Sequence, residues 1–342
     1  MDSSPTFVEA ERQRATAWKL FTSTLPVDAQ MPARYVSKDG FERGPPYDFC
    51  LPAEFAAFSL LPEVRDPALA LFAELGIPWH AGVGGGPSNH LLSSQVQCVN
   101  ALGQMATDPD RIVRAFGPTL GTDEVDQIEP GRWLTFEYIG SNDHLHEAVD
   151  GARIRGSHCT SVDAAFVHRT HNGLRELILV EWKYTEAYRR RRAVPAPDAV
   201  RLERYGRLLT APDGPIIDGL LPFTGLLQEP LYQLMRQQLL AYELEKSQAH
   251  DVDRVRVVHV MPAANRAYND SLYGVHALQL GNTVKEVWQR LLRRPDRFVS
   301  VDSALFLDPK ITSEHYAQRY GAPISALHDG EGAASQGDQS DG

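Results

Sequence analysis

Four consecutive apolar residues, Leu177-Ile178-Leu179-Val180, run without a break into Glu181-Trp182-Lys183. An apolar run of that length reads as a strand covered on both faces, the centre of a buried sheet. It ends in an acid and a base two residues apart, and residues two apart on a strand share a face. Glu181 and Lys183 therefore stand together on a surface that is at least half buried, where charges need partners. Asp163 lies eighteen residues upstream, in a second strand-like stretch from Ser161 to His168.

The turn between these strands contains His171-Asn172-Gly173. A two-residue Asn-Gly turn would pair 171 with 174 and set Asp163 opposite Trp182, on the wrong face. A three-residue loop, 171–173, with Gly173 left-handed, pairs 170 with 174 and sets 163 opposite 181. The spacing thus predicts an odd-length loop or a bulge, with Asp163, Glu181 and Lys183 on one face. One economical partner for two such carboxylates is a divalent metal. Mg²⁺ prefers oxygen ligands and keeps several waters, so Asp163, Glu181 and a substrate phosphate suffice, with Lys183 beside the attacking water.

Around this hairpin the chain reads as alternating helices and strands. Helices are expected over 7–21, 67–75, 88–105, 230–247 and 284–292, and strands over 133–139, 161–168, 176–184 and 254–261. Of 342 residues, 43% are hydrophobic and 23% charged, enough for a sizeable core and too apolar for a mainly disordered chain. No apolar run approaches the roughly 18 residues of a membrane span. The first ten residues include Asp2 and Glu9 and lack the apolar segment of a secretory signal. A cytoplasmic protein is expected. Cys50, Cys98 and Cys159 are far apart and odd in number, which argues against a disulfide framework or a cysteine metal cluster. Net charge is −10, yet Arg189, Arg190, Arg191 and Arg192 open a basic stripe that extends to Arg207. A local stripe can dominate at short range inside an acidic chain.

In the 230–247 helix, Leu231, Leu234, Met235, Gln238 and Tyr242 form one stripe, with the amide of Gln238 in its middle. Asp…Glu-x-Lys on consecutive strands, within an order of helix, three strands, helix, strand, resembles the PD-(D/E)XK nuclease superfamily. Gln238-Leu-Leu-Ala-Tyr242 is similar to the Q-x-x-x-Y of its RecB-like branch. Thr160-Ser161-Val162-Asp163-Ala164, Glu181-Trp182-Lys183-Tyr184-Thr185-Glu186, and Ser93-Ser94-Gln95 with Asn100 resemble a group of bacterial sequences described as restriction endonucleases. The resemblance covers roughly residues 45–320. It implies an α/β fold with a restriction-endonuclease-like core, a mixed sheet flanked by helices and an N-terminal helical elaboration. The corresponding division is an N-terminal helical arm (1–45), a nuclease-like domain (46–325) and a disordered acidic tail (326–342).

The resemblance implies that Asp163 and Glu181 hold Mg²⁺, with Mn²⁺ as a substitute, and that Lys183 activates water and stabilises the phosphate. Gln238 and Tyr242 would support the site or touch DNA, as would Arg189–Arg192. The superfamily often carries another acid on its first helix, and residues 90–105 contain none. Glu137 and Glu147 are the substitutes; Glu137 ranks first, because an unpaired charge within its strand would be costly. The expected function is Mg²⁺-dependent cleavage of DNA phosphodiesters by an endonuclease in restriction or phage defence, with a homodimer favoured for paired cuts. The rival readings are a catalytically silent nucleic-acid-binding or assembly protein on the same fold and, behind it, a zinc hydrolase built on His144 and His146.

Overall fold

The computed structural model of the protein describes residues 5–148, 151–157, 159–188 and 195–321. These fall into two compact units, one from residues 1–71, 79–103 and 306–342, the other from 72–78 and 104–305. Arg189–Arg192 and the 326–342 tail lie outside the described residues.

In chain order the early elements are α1 (Phe7–Phe21), β1 (Ala33–Val36), β2 (Glu42–Tyr47), α2 (Arg65–Glu74) and α3 (Ser94–Leu102). Next come α4 (Pro109–Leu120), β3 (Thr122–Asp126), β4 (Thr135–Tyr138), β5 (Val162–Thr170) and β6 (Arg175–Trp182). The later elements are α5 (Pro195–Leu209), α6 (Phe223–Leu226), α7 (Leu231–Lys246), β7 (Arg254–Met261), α8 (Arg266–Asn269), α9 (Val275–Leu280), α10 (Val284–Leu291), β8 (Phe298–Asp302) and α11 (Glu314–Gly321).

Local chemistry in the first unit explains its ends and braces. Thr6 and Glu9 close a capping box at the start of α1. Ser93 caps α3, so the helix begins later than the expected start at residue 88. The buried Lys19 ammonium donates to the carbonyls of Met31 (2.7 Å) and Cys50 (2.6 Å). The Asn100 side chain accepts from Leu61 N–H and donates to the Ser59 carbonyl and the Tyr320 hydroxyl, so it braces the unit from within.

The second unit is an α/β structure built on a mixed six-stranded sheet flanked by helices. The strand order is β3-β5-β6-β7-β8, with β4 also paired to β5. β3, β4 and β6 run antiparallel to β5, whereas β6–β7 and β7–β8 are parallel. Leu177 and Leu179 join Val255, Val257 and the α7 residues Leu234, Met235 and Leu239 in one buried cluster. On the opposite face, Phe116 of α4 packs on Phe166, ring centroids 5.0 Å apart. The sheet is therefore covered on both sides, as the apolar run of β6 requires.

Of the strands, β1, β2, β3 and β8 were not expected, nor were the helices α4, α5, α6, α8, α9 and α11. α4 carries Pro118 in its interior and Gly117 before it, residues that locally argue against a helix. β3 and β8 are only five residues each, and β3 holds a single apolar residue, Val125, so neither carries a clear strand period. α5 and α11 likewise fall in stretches assigned no element.

One charged cluster is sealed within the α4 face. Glu176 is fully buried between the guanidinium groups of Arg254 and Arg256, with His168 Nε2 at 3.3 Å. Arg256 also donates to the carbonyl of Leu120, the last residue of α4, where a cation complements the helix dipole. Glu176→Ala would leave two guanidinium groups facing each other and should cost about 3–5 kcal/mol in chemical denaturation.

Acid sensitivity is a second expectation. Burial, and then the Arg256 charge, lowers His168 to about 4; burial, and then Lys183, lowers His259 to about 3. In the unfolded chain each titrates near 6.5. Below that pH the unfolded state takes up protons that the folded state refuses, so stability falls as pH drops from about 6.5 towards 3. Urea midpoints measured across that window should decline, and a flat profile would contradict the burial of both rings.

Candidate active site

The hairpin takes the three-residue loop. Thr170 N–H donates to the Leu174 carbonyl (2.9 Å), Gly173 N–H donates back to Thr170 (2.8 Å), and Gly173 has φ of +78°. Only glycine adopts that conformation readily. The ladder then runs Ala164↔Val180, Ala165↔Leu179 and on down the strands. One more step sets Asp163 opposite Glu181. The β4–β5 ladder pairs Phe136 with Ala164 and Tyr138 with Val162, which brings Glu137 opposite Asp163. On the other side β7 pairs His259 with Glu181. Glu137, Asp163, Glu181 and His259 thus form a row across four adjacent strands, and Lys183 follows at the end of β6.

The row is crowded with negative charge. Glu181 and Lys183 are 1% and 6% exposed. Asp163 keeps some contact with solvent, and its Oδ2 accepts from the Trp182 N–H at 2.6 Å. Loss of water around Asp163, followed by the Glu181 and Glu137 charges, pushes its carboxyl well above the usual range. Burial alone would lower Lys183. The Glu181 carboxylate in contact with it reverses that effect and holds the ammonium well above the ordinary lysine value. Lys183 is therefore a fixed cation.

Glu137 has φ of +46°, left-handed backbone that is strained for a non-glycine residue. Its Oε2 accepts from Ser161 Oγ at 2.9 Å. The loop over it comes so close that a Cβ on Gly156 (φ +71°) would lie 3.2 Å from the carboxylate.

Helix α7 supplies polar residues absent from the sequence reading. Gln237 Nε2 donates to Glu181 Oε2, and Gln233 Oε1 accepts from Lys183 Nζ at 2.8 Å. Glu229, just before the helix, belongs to the same stripe. Burial raises its carboxyl pKa, opposed by Arg236 and then Lys183. The signal for these was Glu229-x₃-Gln233-x₃-Gln237, polar residues at helical spacing. Gln238 and Tyr242 point elsewhere. They line a separate cavity, where Tyr242 donates to Asp213 at 2.9 Å.

Glu147 also has another place. Its carboxylate accepts from the N–H and hydroxyl of Thr160 and from the Tyr205 hydroxyl (2.5 Å), so its lone pairs are largely engaged within the protein. Among the described residues no three His, Cys, Asp or Glu are grouped as a protein-only metal cage, around His144 and His146 or elsewhere.

Two carboxylates and an open side would suit Mg²⁺, which keeps several waters and does not need a cage. Glu181 Oε1 is buried and pairs with the Lys183 ammonium. Three carboxylates against one ammonium leave the row short of positive charge, a balance that a divalent cation held by two of them would redress.

The crowding has a measurable cost. Asp163 binds its proton more tightly folded than unfolded, so its contribution to stability declines as pH rises through that interval. Asp163→Asn keeps an acceptor for Trp182 N–H and removes one charge. In metal-free buffer at pH 7 it should raise Tm by roughly 2–4 °C. A fall in Tm would mean that the carboxylate is a net stabiliser of the empty site.

No helix among the described residues is long and apolar enough to cross a membrane. No curated protein and no solved structure gives a significant match to the chain. Residues 12–321 match the family described as “Restriction Endonuclease associating with ARP”, and the chain belongs to that family.

Proposed function

We propose that this protein is a Mg²⁺-dependent nuclease that hydrolyses DNA phosphodiesters. The observation that carries the reading is the row of Glu137, Asp163 and Glu181 with Lys183 at its end. Restriction-endonuclease family membership supports it. Asp163 and Glu181 would hold the metal, and Glu137 is the remaining acid of the row. Bound Mg²⁺ would polarise a phosphate oxygen and acidify a coordinated water.

The protein's own groups have definable parts. Lys183 stays charged and is aimed by Gln233, so it can stabilise the negative charge that develops on a phosphate as its bond breaks. Gln237 holds Glu181 in one rotamer. Both amides are positioning residues. Substrate contact has a candidate surface on the same helix. Arg236 and Arg201 lie over the Tyr232 ring at 4.9 and 4.6 Å, and Arg236 reaches Thr160 Oγ1 at 3.4 Å. Guanidinium groups beside an aromatic ring suit a nucleic-acid backbone and its bases. The Arg189–Arg192 run is a further candidate for DNA contact on the ground of its charge alone.

The test is cleavage of plasmid and single-stranded DNA with Mg²⁺ or Mn²⁺. Wild type should cut only with added metal. Glu181→Ala and Lys183→Ala should each lose roughly 100-fold or more in rate. Gln237→Leu should lose less, and its metal dependence should shift to higher Mg²⁺. A folded wild type that cuts neither plain nor modified DNA would return the chain to a nucleic-acid-binding or assembly role.

A further inference from the structure

Gln238 and Tyr242 are left without a role by the acid row, and the cavity they share has its own chemistry. It has a volume of about 220 Å³ and lies between the C-terminal half of α7, the start of β7 and the segment after α10. Its cations are Lys246, Arg293, Arg294 and Arg297, against the carboxylates of Asp213 and Glu245. Both carboxylates are already engaged. Glu245 accepts from Val255 N–H (2.8 Å) and Arg297 (2.9 Å), and Asp213 accepts from Tyr242. Arg293 donates Nε to the Gly214 carbonyl (3.0 Å) and makes no ion pair among the described residues. The balance is an excess of guanidinium donors, the geometry that binds phosphate bidentately.

Two further features restrict what fits. Pro215, Ala241 and Val255 give the wall an apolar stretch. Gln238 is 2% exposed and lines the cavity, yet its Oε1 has no hydrogen-bond partner among the described residues. A buried acceptor left unmatched is costly, so a ligand with an N–H or O–H donor would satisfy it. We propose that this cavity is a second ligand site, distinct from the acid row, for a small phosphate-bearing molecule of the size and chemistry of a mononucleotide. Its phosphate meets Arg293, its apolar body lies on the Pro215–Val255 wall and its donor reaches Gln238. The inference does not depend on whether the acid row cuts DNA.

The experiment is isothermal titration calorimetry on the full chain with four probes: adenosine 5′-monophosphate, cytidine 5′-monophosphate, adenosine and inorganic phosphate. At least one nucleotide should bind saturably, with adenosine and phosphate each weaker by roughly tenfold or more. Arg293→Met should weaken nucleotide and phosphate by roughly 10- to 100-fold, with Arg293→Lys in between. Gln238→Leu should weaken the nucleotide and leave phosphate unchanged. Melting curves establish that each variant is folded. The proposal fails if none of the probes binds the folded wild type. It fails equally if phosphate binds as tightly as both nucleotides, or if nucleotide affinity survives in the folded variants. Binding of a 5′-phosphorylated oligonucleotide, with none of either mononucleotide, would also overturn it and assign the cavity to nucleic acid.

Discussion

The register of one hairpin governs the chemistry of the second unit. With three residues in the loop and Gly173 left-handed, β5 and β6 pair so that Asp163 faces Glu181. Side chains alternate across a strand, so a one-residue slip would send Asp163 to the α4 face and leave Glu181 opposite an apolar residue. The same register aligns β4 through Phe136↔Ala164 and β7 through Glu181↔His259. The acid row is therefore a property of strand pairing, set by a turn eight residues in sequence from both Asp163 and Glu181.

The row is maintained against its own repulsion by the structure around it. Apolar packing on both faces of the sheet supplies the stabilisation, and the acids sit where that packing ends. Backbone strain at Glu137 and the close crossing of Gly156 occur at the same place. Unfavourable geometry concentrated beside a cluster of like charges is a pattern of sites selected for chemistry rather than for stability. The Glu176 cluster offers a contrast. There a buried acid meets two guanidinium groups and a neutral histidine, and nothing is left short of charge.

Helix α7 serves more than one neighbour. Leu234, Met235 and Leu239 pack in the core, Gln233 and Gln237 reach the acid row, and Gln238 and Tyr242 turn to a different cavity. Adjacent residues on a helix point about 100° apart. Gln237 and Gln238, neighbours in sequence, therefore belong to different sites. A helix buried on several sides lacks the single apolar stripe that marks a surface helix, so its sequence does not reveal which amide meets which partner.

Sequence alone determined the elements whose chemistry is local. The apolar run of β6, the loop length ending in Gly173, β7 from Arg254 to Met261 and the meeting of Asp163 with Glu181 all follow from periodicity and turn rules. Glu137 was legible as a charge in need of a partner. Tertiary structure decided what those rules leave open. It formed α4 despite Pro118, added β3 and β8 to the sheet, and occupied Glu147 with Thr160 and Tyr205. It also chose Gln233 and Gln237, not Gln238 and Tyr242, for the acid row. Strand register follows from a few residues and a fixed period of two, whereas the rotation of a helix about its axis is set by everything packed around it.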